Sequence, residues 1–190
     1  MCALRREVIG AQLKRRTLAI QTMPCIQTEF ERDRMAYMPR PIRTLFVGES
    51  RPANGTFFYR GDSKLVRYTC EALGGRPDSD GTCKGFLRAF QARGFYLRDL
   101  SPEPVNHLSR SERRLARAAG VEELSIRMGQ DRPEAVVVVM KGIAPHVRSA
   151  MNAAGLDVPL YCLPFPAMSH QRMFVEQLKA LASALPQNSV

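Results

Sequence analysis

No Cys-x-x-Cys pair and no short Cys/His cluster occurs in this 190-residue chain, whose five cysteines stand apart at 2, 25, 70, 83 and 162. A zinc or iron–sulfur site needs closely spaced ligands, so no metal is expected. Two glycine patterns that bring phosphate against backbone N–H groups, Gly-x-x-x-x-Gly-Lys-[Ser/Thr] and Gly-x-Gly-x-x-Gly, are missing as well. Their absence counts against the common nucleotide- and phosphate-binding modules. The Gly-x-Ser-x-Gly elbow of many hydrolases is not there either. Nor is any apolar run near the roughly eighteen residues of a membrane helix, or a secretory signal pattern. Together with the odd number of cysteines, these absences lead us to expect a reduced, cytoplasmic protein with no membrane partner.

Acidic residues are outnumbered: 18 Asp and Glu face 28 Lys and Arg, for a formal charge of +10 and a pI near 9.9. That balance favours a polyanionic partner such as nucleic acid. The alternative is a basic soluble protein with scattered surface arginines. At 45% hydrophobic residues, the chain can bury one sizeable core but not two. We expect one monomeric domain, 41–190, behind a basic extension, 1–40, that is at best partly helical. The extension carries Lys14-Arg15-Arg16 without a regular apolar period, while Glu7, Glu29, Glu31 and Asp33 argue against a mitochondrial presequence. Translation from Met35 or Met38 is an alternative start that intact mass would decide.

From residue 42 the pattern becomes regular. Four short apolar runs, Thr44–Val47, Gly94–Leu97, Ala135–Met140 and Pro159–Leu163, read as strands. The third is continuous and β-branched, as in a strand covered on both faces, which points to a parallel sheet. Helical stretches at 63–73, 82–92, 111–129, 144–154 and 168–184 lie between and after them. Asp62 or Ser63, Ser111 with Glu112, and Ser169 are candidate N-caps, and Gly74-Gly75, Gly120 and Gly155 are candidate helix stops. Phe174, Leu178, Leu181 and Leu185 recur at helical spacing and read as core. The order β-α-α-β-α-β-α-β-α predicts a three-layer α/β/α sandwich with a central four-stranded parallel sheet.

Ligands of such sheets bind at the carboxyl ends of the strands. The segment after the first strand, Gly48-Glu49-Ser50-Arg51-Pro52 through Gly55-Thr56-Phe57-Phe58-Tyr59, combines a carboxylate, glycines and three aromatics. That composition suits a planar, hydrogen-bonding ring such as a nucleobase, unless Phe57 and Phe58 only fill the core. Asp99 through His107 follow the second strand, Lys141-Gly142 the third, and Pro164 through Gln171 the fourth.

Leu45-Phe46-Val47-Gly48-Glu49-Ser50, with Gly55-Thr56-Phe57-Phe58 behind it, resembles the first motif of the uracil-DNA glycosylase superfamily, closest to the branches that begin Gly-Glu-Ala-Pro. Leu163-Pro164-Phe165-Pro166 with Ser169 is similar to that family's final His-Pro-Ser-Pro motif. The resemblance covers roughly residues 42–185. It implies a first loop with the water-positioning group, an aromatic stacked on a flipped uracil, and Asp99 reading the base edge where the family commonly has Asn. It also implies a last loop that contacts DNA and the uracil oxygen. Ser50 stands where many members have Asp or Asn, and Leu163 where the motif has His.

Breaking an N-glycosidic bond places positive charge on the sugar and negative charge on the base. Glu49, and after it Asp99, are the expected catalytic carboxylates, with His170 as a donor to the leaving base. Gly48, Ser50, Phe57, Phe58, Asp99 and Ser169 are the expected base-binding residues. Arg51, Arg60, Lys64, Lys141 and Arg172 fall near strand ends and are assigned to DNA phosphates. Arg110, Arg113, Arg114 and Arg117 read as a solvated helix face that could extend a DNA track. His107 and His146 have weaker claims, and no cofactor is expected. The sequence thus predicts a DNA base-excision glycosylase acting on uracil or another deaminated base. Two alternatives remain: a non-catalytic nucleic-acid or nucleobase-binding protein, and a hydrolase built on Ser50, Cys162 or Ser169-His170.

Overall fold

The structure, a computed structural model, describes residues 25–188. Glu7 and Lys14-Arg15-Arg16 of the extension lie outside the described residues. The chain divides into two units, Met1–Ala36 and Tyr37–Val190. In the first, helix α1 runs over Cys25–Met35.

Four short strands build the sheet of the second unit: β1 Thr44–Gly48, β2 Phe95–Asp99, β3 Ala135–Val138 and β4 Leu160–Cys162. All pairings are parallel, in the order β2-β1-β3-β4. Five helices accompany them: α2 Lys64–Ala72, α3 Lys84–Ala92, α4 Arg110–Asp131, α5 Ala144–Ala153 and α6 Gln171–Leu181. Helix α2 packs on α6, α4 packs on α5, and α3 lies against β2. The result is the α/β/α sandwich that the alternation of runs predicts. No described helix is long and apolar enough to cross a membrane.

Successive side chains of a strand point to opposite faces, and the core follows that rule. Phe46 meets Phe90 of α3 and Phe95 of β2, with ring centroids 5.2 and 5.5 Å apart. Every residue of β3 is buried, as its position between β1 and β4 requires. Burying a valine stabilises by about 1.5–3 kcal/mol, so Val136, Val137 and Val138 anchor the centre of the sheet. Strand β2 lies at the sheet edge, where the Tyr59 hydroxyl takes the place of a neighbouring strand. It accepts from the Leu97 N–H at 2.7 Å and donates to the Leu97 carbonyl at 2.9 Å.

Local signals needed three corrections. Ser63 caps α2 as expected, but α4 is capped by Ser109, whose side chain and that of Glu112 form a capping box, while Ser111 is already inside the helix. His170, not Ser169, occupies the N-cap position of α6, and it makes no side-chain cap bond. Gly120 does not stop a helix: α4 runs through it to Asp131. A Cβ there would lie 1.9 Å from the Leu100 carbonyl oxygen, so this glycine lets the helix close on the loop after β2.

Candidate functional site

The carboxyl edge of the sheet is organised by two loops that remain joined after their strands end. Leu100 N–H donates to the Gly48 carbonyl at 2.9 Å and Ser101 N–H to the Glu49 carbonyl at 2.8 Å, which ties the two loops together just beyond the β1–β2 pairing. Ser50 Oγ accepts from Val105 N–H at 3.2 Å, and Arg51 pairs with Glu103 at 3.4 Å. Ser50 therefore serves the loop, and Arg51 is tied to it as well. Ser101 itself is buried, and among the described residues its hydroxyl has no hydrogen-bond partner.

Gly48 and Asp99 face each other in register at the strand ends. Asp99 Oδ1 lies 2.7 Å from where a Gly48 Cβ would be, so the carboxylate rests against bare backbone that any other residue would cover. Asp99 is partly exposed.

Glu49 sits one residue past β1 and meets α4. Arg113 grips it with both arms of its fork, Nε to Oε1 at 2.6 Å and Nη2 to Oε2. Arg117 approaches Oε1 through Nε and Nη2, each at 2.6 Å. Side-chain exposure rises outward, from 10% at Glu49 to 19% at Arg117 and 32% at Arg113. Burial pushes the Glu49 carboxyl up, but the hydrogen bonds and charges of the two guanidiniums outweigh it and hold the group below the ordinary glutamate value. Arg113 is correspondingly raised, chiefly by its bond to Glu49. Two of the four arginines read as a solvated face are thus committed to the site. The hint is in their spacing: 110, 113, 114 and 117 share one side of a helix. Further along α4, Asp131 accepts from Arg98 of β2 at 2.8 Å, so ion pairs hold both ends of this helix.

Phe57 and Phe58 are 1% and 3% exposed. Phe58 packs edge-on against Tyr59 and Phe90, and Phe57 against Tyr59, so both rings belong to the core beneath the loop. The exposed aromatic at this edge is Phe165, in the loop after β4. In the same loop Met168 and Ser169 both take left-handed backbone angles, φ 50° and 71°. Each costs about 1–2 kcal/mol for a residue with a side chain, and the turn leaves Met168 89% exposed. Leu163 is buried. The His170 ring is exposed, with Nδ1 3.1 Å from the Ala167 carbonyl. A carbonyl only accepts, so Nδ1 bears hydrogen, and Nε2 can donate only from the imidazolium form.

Lys64 and Lys141 are exposed, the first at the start of α2 and the second opening the short turn Lys141–Ile143 after β3. Arg60 ends the turn Phe58–Arg60 and is partly exposed. Arg172, in the first turn of α6, pairs with Glu176 at 2.7 Å. Strand β3 separates β4 from β1, so Ser169 and His170 rise from a strand end about 10 Å from that of β1. Among the described residues, no three His, Cys, Asp or Glu side chains cluster as metal ligands would. Comparison with protein-family models and with curated proteins found no match.

Proposed function

We propose that the chain is a DNA base-excision glycosylase that hydrolyses the N-glycosidic bond of uracil or another deaminated base flipped out of DNA. The observation that carries this reading is the Asp99 carboxylate lying against the bare backbone of Gly48, at the strand ends where an open parallel sheet receives its ligand. A carboxylate there can orient water and stabilise the oxocarbenium character of the sugar.

Asp99 takes that role ahead of Glu49 for an electrostatic reason. Glu49 with Arg113 and Arg117 forms a cluster of net charge +1, and such a cluster repels a developing cation. Across the edge, the exposed His170 ring, when both of its nitrogens bear hydrogen, and the first-turn N–H groups of α6 can donate to the leaving base oxygen. Phe165 offers an exposed ring for stacking, and Met168 an apolar tip of the kind that wedges between base steps. Exposed Lys64 and Lys141 supply positive charge for phosphates.

Oligonucleotides carrying uracil, hypoxanthine or xanthine, treated with the protein and then with alkali, test the reading by strand cleavage at abasic sites. Asp99→Asn should lower turnover about 100-fold or more with little loss of affinity. A wild-type protein that yields no abasic product sinks the enzyme. Retained salt-sensitive binding in that case would favour a non-catalytic nucleic-acid-binding protein. Two observations support this second reading: buried Leu163 and the enclosed rings of Phe57 and Phe58, positions where the resemblance implies working groups.

A further inference from the structure

The Glu49 cluster has more donors than its carboxylate uses. Glu49 engages Nε and Nη2 of both arginines, and among the described residues the two Nη1 groups have no partner. The carboxylate is the most enclosed member of the cluster, and both arginine side chains are more exposed than it is. Arg110 and Arg114 occupy the same side of α4 at helical spacing, are exposed, and have no ion-pair partner among the described residues. Four guanidiniums therefore share one side of the first two turns of α4 with Glu49 packed against them, while Glu112 of the same turns is engaged in the capping box with Ser109. A fixed, planar fork with free N–H groups matches the oxygens of a phosphodiester, and an arginine held by a carboxylate loses less side-chain freedom on binding one.

We propose that Arg113 and Arg117 form a phosphate-binding fork for the nucleic-acid backbone, extended outward by Arg110 and Arg114, and that Glu49 is the positioning residue that aims it. This inference rests on the nucleic-acid reading above, but on neither catalysis nor the identity of the base.

Binding of the full chain to a short fluorescent oligonucleotide, measured over roughly 50–200 mM salt, tests it. The Arg113→Ala/Arg117→Ala variant should bind more weakly, with a slope of log K against log salt shallower by about 1–2. Arg110→Ala/Arg114→Ala changes only exposed side chains and should also flatten the slope. Arg113→Lys should keep the slope and lose affinity, because it retains charge without the fork. Glu49→Gln gives a test of sign. It removes a negative charge, so a merely neutralising Glu49 predicts tighter binding, whereas a positioning Glu49 predicts weaker binding, by about threefold or more. Tighter binding by Glu49→Gln, or unchanged slopes in both double variants with folding confirmed by thermal melts, would overturn the proposal and leave the nucleic-acid reading standing. A wild-type protein without salt-dependent binding would overturn both. Titration with inorganic phosphate alone separates the sources of the oxyanion. Weak competition is expected, and tight phosphate binding without oligonucleotide binding would remove nucleic acid as the partner.

Discussion

Glu49 and its two arginines make the fold itself sensitive to acid. The folded carboxyl titrates below its ordinary value of 4.5, so its contribution to stability is complete above that pH and is lost as the pH falls through the lowered value. Glu49→Gln should therefore destabilise the protein near neutrality by about 2–3 kcal/mol, less than a fully buried pair because Arg113 remains partly exposed. In urea unfolding, the gap between wild type and variant should begin to close as the pH falls below 4.5 and should go on closing as the pH passes through the lowered value of the folded carboxyl. A gap that does not change with pH would mean that the ion pairs contribute nothing to stability. At the same scale, Asp99 and Glu49 show how two neighbouring carboxylates come to lie in different surroundings. One lies against a glycine, and the other is enclosed by guanidiniums.

Helix α4 carries more of the site than any strand does. Its first turns hold Glu49, its last residue holds Arg98, and its middle presses on the Leu100 carbonyl through Gly120. Helix propensity alone says that Gly120→Ala stabilises by about 1 kcal/mol. The 1.9 Å approach says the reverse, because the new methyl must push the helix off the loop that bears Asp99 and Ser101. We expect a loss of about 1–3 kcal/mol in denaturant unfolding, and stabilisation would contradict the packing described. The element was legible in the sequence, but this role was not. A glycine in a helical run reads as a stop, and only the β2 loop, twenty residues earlier in the chain, explains it. The caps tell a similar story. Ser109 and Ser111 both offer a hydroxyl near the start of α4, and the choice turns on a two-residue difference in where the helix begins.

Across the whole molecule, the architecture was readable because the apolar runs at 44–47 and 135–140 and the stretches between them have distinct periods, and a parallel sheet with these connections has few ways to fold. Long-range pairing was not readable. Nothing near Glu49 in the chain announces Arg113 and Arg117, 64 and 68 residues away, and an aromatic run such as Phe57-Phe58-Tyr59 looks the same whether it lines a pocket or fills a core. Tyr59 is the case with the widest reach. Its single oxygen satisfies both backbone groups of Leu97 and so sets the width of the sheet on the β2 side. Tyr59→Phe should cost about 1–3 kcal/mol in denaturant unfolding, with an unchanged slope against denaturant. It should also leave an open strand edge, so that concentrated variant self-associates in sedimentation while wild type does not. If it does, a phenol hydroxyl is what keeps one molecule's sheet from becoming the template for the next.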